Sequence, residues 1–262
     1  MKLGIISNYL NQDLKKVNDL GLGYVEFCIN RNEGDFFSVL SSTKKSLNEY
    51  ELHVSSIGRW GTDKINEQGL IQKELEVNFK LIDACVYLGS PVFVTGVNYI
   101  DHLSEHENME LAISYLKEVI TYAKAKGIKT AVFNCRWNNF IVGPDQWDIL
   151  IERLADLYIK YDPSHAIYDD KDYLKEISHY GNRIIHFHLK GSLRIDQLRV
   201  DDPPAGLDMT NWQAVMALLY YHQYQGVLSV EPHSATWSDD LGEFGIKYTV
   251  NYFKPMIYGG KK

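Results

Sequence analysis

The stretch LYIKYDPSHA, residues 157–166, combines a short apolar run with an abrupt polar end. Its first residues have the aromatic and β-branched content of a buried strand, and Pro163 breaks that strand. Asp162 therefore stands at the carboxyl end of the strand, and His165 follows three residues later. The pattern predicts a buried strand that delivers polar side chains to one end of a sheet.

Runs of the same kind recur along the 262 residues, separated by stretches with helical spacing of apolar residues. Because the runs are continuously apolar rather than alternating, they are typical of parallel strands covered on both faces. Their alternation with helices predicts an α/β fold, a single-domain (β/α)8 TIM barrel over residues 1–262. A doubly wound open sheet is the alternative, but no glycine-rich phosphate fingerprint follows the first strand. The candidate strands are KLGIIS, YVEFCI, ELHVSSIG, PVFVTGV, KTAVFN, LYIKYD, IIHFHLKG and GVLSVEP.

Composition limits the classes of partner. The formal charge is -7, and no segment has the dense Lys/Arg clustering of a nucleic-acid surface, so no nucleic-acid partner is expected. The opening MKLGIISNYL fits neither a signal peptide nor a membrane span, which predicts a cytoplasmic protein without a membrane partner. The 3 scattered cysteines argue against a disulfide scaffold or a cysteine-rich zinc site.

Polar residues at the ends of three consecutive predicted strands indicate an active site. Asp162 is joined by His188 in IIHFHLKG and by Glu231 in GVLSVEP. In a (β/α)8 barrel the active site lies at the carboxyl ends of the strands. Carboxylate and imidazole groups together suit a divalent ion such as Mn, Zn, Mg or Co, which would polarise a substrate carbonyl or hydroxyl pair. Each residue alone has an ordinary structural explanation, and it is the set that predicts a site.

Several other residues near the predicted barrel mouth have two interpretations each. Trp60 in IGRWG could stack on a sugar ring or simply pack in its loop. Arg194 and Arg199 could bind a phosphate or carboxylate, or be solvated. Lys160 is either a core lysine paired with a carboxylate or a cation that partly replaces metal charge. Glu26 in YVEFC is interpreted as a buried partner for another barrel residue.

The chain resembles the xylose isomerase-like TIM barrels, which include sugar isomerases, ketose 3-epimerases, inosose dehydratases and AP endonucleases. YDPSHA resembles the family's Asp-Pro-x-His element, and IIHFHLKG resembles its His-x-Lys-Asp strand. PPAGLDMTNWQAV resembles the segment before the last strand, and YQGVLSVEPH resembles the closing strand. The resemblance covers nearly the whole chain and is sharpest from residue 156 onward.

The resemblance implies a divalent ion held by Glu, Asp, His and Glu from strands five to eight, the two Glu also moving protons in the epimerases. Asp162, His188 and Glu231 match the last three ligands. Glu231 and His165 are therefore the candidate catalytic residues. His165 and Lys190 match family residues near the substrate, and we add three further candidate substrate contacts from their predicted positions: Trp60, Asn134 and Arg194.

Two positions depart from the family pattern. Strand five of the family typically ends like LALENH, and aligning it on TAVFNC places Phe133 at the Glu ligand, with Asn134 beside it. If Asn134 faces inward, its amide oxygen could be a weak ligand; if Phe133 does, three ligands and water would be left. Gly191 replaces the Asp that follows Lys190.

The leading functional prediction is a metal-dependent isomerase or epimerase that removes a proton next to a carbonyl or hydroxyl of a small sugar, sugar phosphate or polyol. If only one good base exists, a dehydratase or lyase on a related polyol fits better. A degenerate barrel that only binds carbohydrate is a further alternative. A nuclease ranks last because it needs more metal ligands and a basic DNA-binding face. Barrels of this kind often form dimers, so assembly as a homodimer is left as an alternative.

Overall fold

The computed structural model describes residues 1–259 and contains a closed barrel of eight parallel strands. The strands are β1 Lys2–Ile6, β2 Tyr24–Cys28, β3 His53–Arg59, β4 Val92–Thr95, β5 Lys129–Phe133, β6 Leu157–Tyr161, β7 Ile184–Leu189 and β8 Val227–Val230. They follow one another around the barrel, and β1 closes it by pairing with both β2 and β8. The predicted (β/α)8 fold is confirmed, with every strand at its predicted run.

Helices surround the barrel. They are α1 Asn11–Asp19, α2 Glu33–Glu49, α3 Gln72–Leu88, α4 Glu105–Ala125, α5 Pro144–Arg153, α6 Pro163–Tyr168, α7 Tyr173–Tyr180, α8 Trp212–Tyr221 and α9 Asp239–Phe253. Within residues 1–259, no helix is long and apolar enough to cross a bilayer. The connection from β6 to α6 is immediate: Pro163 is the first helical residue, a position where its missing N–H costs nothing. Asp162 is thereby fixed at the barrel mouth.

The side chains of successive strand residues lie in two different apolar layers of the barrel. Phe93 and Val132 belong to the large core between the strands and the helices. Their alternating neighbours form a separate inner cluster, as expected when side chains point to opposite faces of a strand. The inner cluster consists of Trp60, Val92, Val94, Ala131 and Phe133. The barrel interior is therefore apolar on the side of β3, β4 and β5.

The chain folds back over the mouth after β7. An antiparallel hairpin, Leu193–Ile195 and Leu198–Asp201, leads into Asp202 and two prolines. A Cβ atom at Gly191 would lie 1.9 Å from the carbonyl oxygen of Pro203. No side chain fits there, which gives a physical reason why Gly191 stands where the family has Asp.

A buried ion cluster joins the end of β3 to α3. Glu74 Oε1 lies 2.5 Å from Arg59 Nε and 2.6 Å from Lys64 Nζ. Burial opposes ionisation of Glu74, but the hydrogen bond from Arg59 and the attraction of Lys64 outweigh it and lower its pKa to about 2. The cluster holds the base of the β3 loop, which carries Trp60 to the mouth.

We expect Glu74→Gln to lower the free energy of unfolding by about 3–5 kcal/mol at pH 7, because it leaves Lys64 without its carboxylate and Arg59 with only the contact to Glu33 at 3.5 Å. The folded-state pKa of Glu74 is below the unfolded value of about 4.3, so the ionised carboxylate stabilises the protein above that pH. This stabilisation declines as the pH falls toward 2. Urea denaturation measures both effects. Glu76→Gln, on the exposed face of the same helix, is the control, and equal losses from the two variants would contradict the account.

Candidate active site

A cavity of about 510 Å³ opens at the carboxyl ends of the strands. Among the residues that line it are Trp60, Lys160, His165, His188, Lys190 and Glu231. Five of these six were predicted from the sequence as site residues. Asp162 lies fully buried beside them. The side chains of Asn134 and Arg194 bind other parts of the protein instead of lining the cavity.

The His188 imidazole lies between two carboxylates. Its Nδ1 is 2.6 Å from Glu231 Oε2, and its Nε2 is 2.8 Å from Glu26 Oε2. Glu26 Oε2 is also 2.7 Å from Nε2 of His186. The alternation of β7 places both histidines on the inner face of the strand, toward Glu26 on β2. Glu26 is thus the buried partner that the sequence suggested.

These contacts control the charges in the site. Burial opposes the imidazolium, but the attraction of Glu26 and of Glu231 outweighs it and raises the pKa of His188 to about 9. Burial also opposes ionisation of Glu231, yet His188 holds the pKa of that carboxyl well below its usual range. The pKa of Glu26 is lowered in the same way by His186 and His188 against its burial. Both carboxylates are therefore ionised at neutral pH.

Asp162 keeps one oxygen free for a ligand. Its Oδ1 accepts a hydrogen bond from the Ser164 N–H at 2.9 Å, whereas Oδ2 is buried and has no hydrogen-bond partner within residues 1–259. His165 Nε2 lies 3.3 Å from Oδ2. Burial lowers the pKa of His165 to about 4, so its imidazole is neutral at neutral pH. An unsatisfied buried carboxylate oxygen of this kind calls for a bound cation, proton or water.

The predicted metal ligands lie together. One oxygen or nitrogen atom each of Asp162, His188 and Glu231 falls within 4.8 Å of the others. The mixture of hard oxygen donors and one imidazole, with Asp162 Oδ2 unpaired, fits a divalent ion. Glu26, His186 and His188 form a second close group. Because Glu26 Oε2 already contacts both of those histidines, we interpret this group as support that orients His188.

The end of β5 lacks a metal-binding carboxylate. Phe133 belongs to the inner apolar cluster and packs edge-on against Trp60, with the ring centroids 5.5 Å apart. Asn134 is buried, and its amide bridges to the next strand: Nδ2 donates to the Asp162 carbonyl at 2.9 Å, and Oδ1 accepts from the Asp162 N–H at 3.0 Å. Asn134 therefore positions Asp162 through its backbone, and an aromatic ring occupies the inward position.

The two arginines of the β7 hairpin have different roles. Arg194 does not line the cavity within the described residues. Its guanidinium lies 2.6 Å from Asp170 and also donates to the Ile167 carbonyl, so it ties the hairpin to the end of α6. Arg199 lines the cavity, with its guanidinium over the ring of Tyr168 at 4.5 Å.

Asp202 is a site residue that sequence reasoning missed. It is buried and contacts Arg199, His233 at 3.0 Å and Lys190 at 3.8 Å. It supplies a carboxylate to Lys190, beside the position where Gly191 replaces the family's Asp. The only sequence signal was an acidic pair before two prolines in VDDPPAG, which does not reveal that the loop folds back over the mouth.

A family model described as Xylose isomerase-like TIM barrel matches residues 14–255. The chain belongs to this family. Among curated proteins, no sequence match was found. The predicted family resemblance is thus confirmed. The match extends well beyond the part of the chain after residue 156, where the resembling motifs are sharpest.

Solved structures of several sugar epimerases superpose on this chain over nearly their whole length. D-psicose 3-epimerase from Clostridium cellulolyticum H10 has a TM-score of 0.82 and 14% identity, covering 98% of this chain and 99% of that chain. D-allulose 3-epimerase from Methylomonas sp. has a TM-score of 0.76 and 17% identity, covering 98% of each chain. 3-Keto-D-glucoside 4-epimerase from E. coli has a TM-score of 0.77 and 13% identity, covering 97% of this chain and 99% of that chain. At these identities the similarity establishes the fold.

We expect Asn134→Ala to destabilise the protein by about 1–3 kcal/mol, because it leaves two buried backbone groups of Asp162 without partners. Urea denaturation monitored by circular dichroism measures the loss. Asn18→Ala, at an exposed position of α1, should stay within about 0.5 kcal/mol of the wild type. An unchanged midpoint for Asn134→Ala would show that the bridge contributes nothing.

Proposed function

We propose that this barrel is a sugar isomerase or epimerase that uses a divalent ion, Mn, Zn, Mg or Co, to move a proton next to the carbonyl of a small sugar, sugar phosphate or polyol. The observation that carries the proposal is the group formed by Asp162, His188 and Glu231 at the floor of the cavity. The similarity to epimerases of psicose, which is also called allulose, and of a 3-keto-glucoside supports a carbohydrate substrate.

Asp162 Oδ2, His188 Nδ1 and a Glu231 oxygen would hold the ion, which would act as a Lewis acid on the substrate carbonyl. Glu26 would support this arrangement by accepting a hydrogen bond from His188 Nε2, which leaves Nδ1 as the free lone pair. The ionised Glu231 is the candidate base that accepts the proton from carbon.

Other lining residues would bind and orient the substrate. The neutral imidazole of His165 and the ammonium of Lys190 could hydrogen-bond sugar hydroxyls, and Trp60 could cover an apolar face of the ring. The cavity of about 510 Å³ is large enough for a monosaccharide or its phosphate. A cytoplasmic location and assembly as a homodimer stay predictions.

One alternative activity has an observation in its favour. Phe133, which the resemblance aligns with the fifth-strand carboxylate, belongs to the inner apolar cluster. A dehydratase or lyase on a related polyol would need only the one base that is present. A barrel that merely binds carbohydrate is less favoured, since it would have no use for a buried, partly unsatisfied acidic group. The charge of -7 disfavours a nuclease.

The proposal predicts that purified protein binds one equivalent of Mn²⁺. Glu231→Gln should weaken that binding by more than about 100-fold, since loss of an outer-shell partner alone costs 10- to 100-fold. The same variant should slow proton exchange from D-tagatose or D-psicose into D2O by about 10²–10⁴-fold. Calorimetric titration and proton NMR provide the two measurements.

Glu110→Gln is the matched control, because Glu110 is an exposed carboxylate paired with Arg153 on the outer helices. It should bind Mn²⁺ and exchange protons like the wild type. A wild-type protein that binds no Mn²⁺ and exchanges no proton with either sugar would overturn the proposed function.

A further inference from the structure

Lys160 is a buried cation that lacks an acidic partner. Its side chain on β6 is 3% exposed and lines the cavity. The other buried lysines have carboxylates nearby: Lys64 lies 2.6 Å from Glu74, and Lys190 lies 3.8 Å from Asp202. Within residues 1–259, no carboxylate lies within ion-pair distance of the Lys160 ammonium, which lies over the Trp60 ring at 5.5 Å.

The position of Lys160 relates it to the departure on β5. In the barrel register Lys160 pairs with Phe133 on one side and with His186 on the other. Both Lys160 and Phe133 face the interior, since Phe133 belongs to the inner cluster with Trp60 and Lys160 contacts the same Trp60 ring. The lysine therefore stands next to the place where the family has a carboxylate.

Within the described residues, the end of β5 itself supplies no replacement base to the cavity. Phe133 and Trp60 are aromatic, and Asn134 is engaged with the backbone of Asp162. Cys135 lines the cavity, but burial raises the pKa of its thiol, which disfavours the thiolate. His165 lies on α6 with its Nε2 turned toward Asp162. Asp169 also lines the cavity, but its carboxylate pairs with Arg136 at 2.7 Å, so Glu231, directly after β8, is the carboxylate best placed to take a proton from a substrate carbon.

A buried ammonium that no carboxylate pairs with directly gains stability when a negatively charged group approaches it. When a proton leaves the carbon next to a carbonyl, negative charge develops on the carbonyl oxygen. A cation fixed in advance at that oxygen stabilises the transition state more than the ground state. Lys160 is buried and, within residues 1–259, has no carboxylate within ion-pair distance, as such a role requires.

We infer that Lys160 is a catalytic residue that hydrogen-bonds the carbonyl oxygen of the substrate, an inference that rests on the proposed function. We further infer that the substrate is deprotonated only on the face that Glu231 contacts. The proton on carbon passes to the Glu231 carboxylate, and the C–H electron pair forms the carbon–carbon double bond. The carbonyl π pair moves to oxygen, where the Lys160 ammonium donates a hydrogen bond and keeps its proton.

Glu231 then returns the proton, on the same face, to the former carbonyl carbon. The hydroxyl proton of the carbon that was deprotonated moves to the former carbonyl oxygen, so the new carbonyl forms at the deprotonated carbon. No oxidant or reductant is needed. This chemistry interconverts a ketose and an aldose, and it does not invert a stereocentre as two opposed bases do. The inference thus narrows the proposed function from isomerase or epimerase to a one-face isomerase.

The test compares wild type, Lys160→Met and Lys129→Met. Lys129 is a matched control because its ammonium also lies over an aromatic ring, that of Tyr158 at 5.1 Å, at the start of β5 and outside the cavity. Each protein is incubated with MnCl2 and D-tagatose, D-psicose or D-fructose in D2O. Proton NMR and chromatography follow deuterium uptake, aldose formation and C3 epimer formation.

We expect wild type to exchange the proton next to the carbonyl and to form aldose without the C3 epimer. Lys160→Met should slow exchange by about 10²–10³-fold, the usual cost of losing one oxyanion donor. It should also bind glycolohydroxamate, a stable enediolate analogue, about 10- to 100-fold more weakly. Its Mn²⁺ affinity should be equal or higher, because a neighbouring positive charge is gone, and this also shows that the variant is folded.

Two results overturn this inference while leaving the proposed function intact: C3 epimer forming as fast as exchange, or Lys160→Met retaining both exchange and glycolohydroxamate affinity. Wild type that binds no Mn²⁺ and exchanges no proton overturns both. Exchange and analogue binding lost only in Lys160→Met, with Mn²⁺ affinity kept, supports the inference.

Discussion

The arrangement of the site depends on the His188 imidazole, which is held between Glu26 and Glu231. Buried carboxylates are costly unless a positive charge or hydrogen-bond donors compensate them. His188 contacts one carboxylate with each ring nitrogen, so it links β2, β7 and β8 across the barrel interior. That link brings the Glu231 carboxylate close to Asp162 and His188, and in the proposed function His188 Nδ1 would bind the ion once it has lost its proton.

The two sides of the mouth differ in chemistry. Acidic and imidazole groups come from β6, β7 and β8, whereas Trp60 and Phe133 form an aromatic wall on the side of β3 to β5. Lys160 stands at the boundary between them. The proposed sugar substrate would have hydroxyl edges and apolar C–H faces, so such a cavity would favour one orientation of its ring. This asymmetry distinguishes the site from one with carboxylates on both sides of the substrate.

Much of the fold and of the candidate site was predictable from the sequence. Continuous apolar runs indicate covered parallel strands, and the strand-end rule for barrels located Asp162, His188 and Glu231. The orientation of Phe133 and Asn134 was not predictable, because both faces of a barrel strand are buried and alternation then carries no signal. The position of Asp202 in the site was not predictable, because it lies in a loop and no sequence periodicity shows where a loop folds. For the same reason the sequence did not show that Arg199, and not Arg194, lines the cavity.

Anomalous diffraction from crystals grown with Mn²⁺ and a ketose tests the central claim most directly. The account predicts one strong manganese peak in contact with Asp162 Oδ2, His188 Nδ1 and a Glu231 oxygen, with the sugar carbonyl oxygen within hydrogen-bond distance of Lys160 Nζ. A fully occupied sugar with no manganese at these three residues, or with its carbonyl turned away from Lys160 and Glu231, would contradict it.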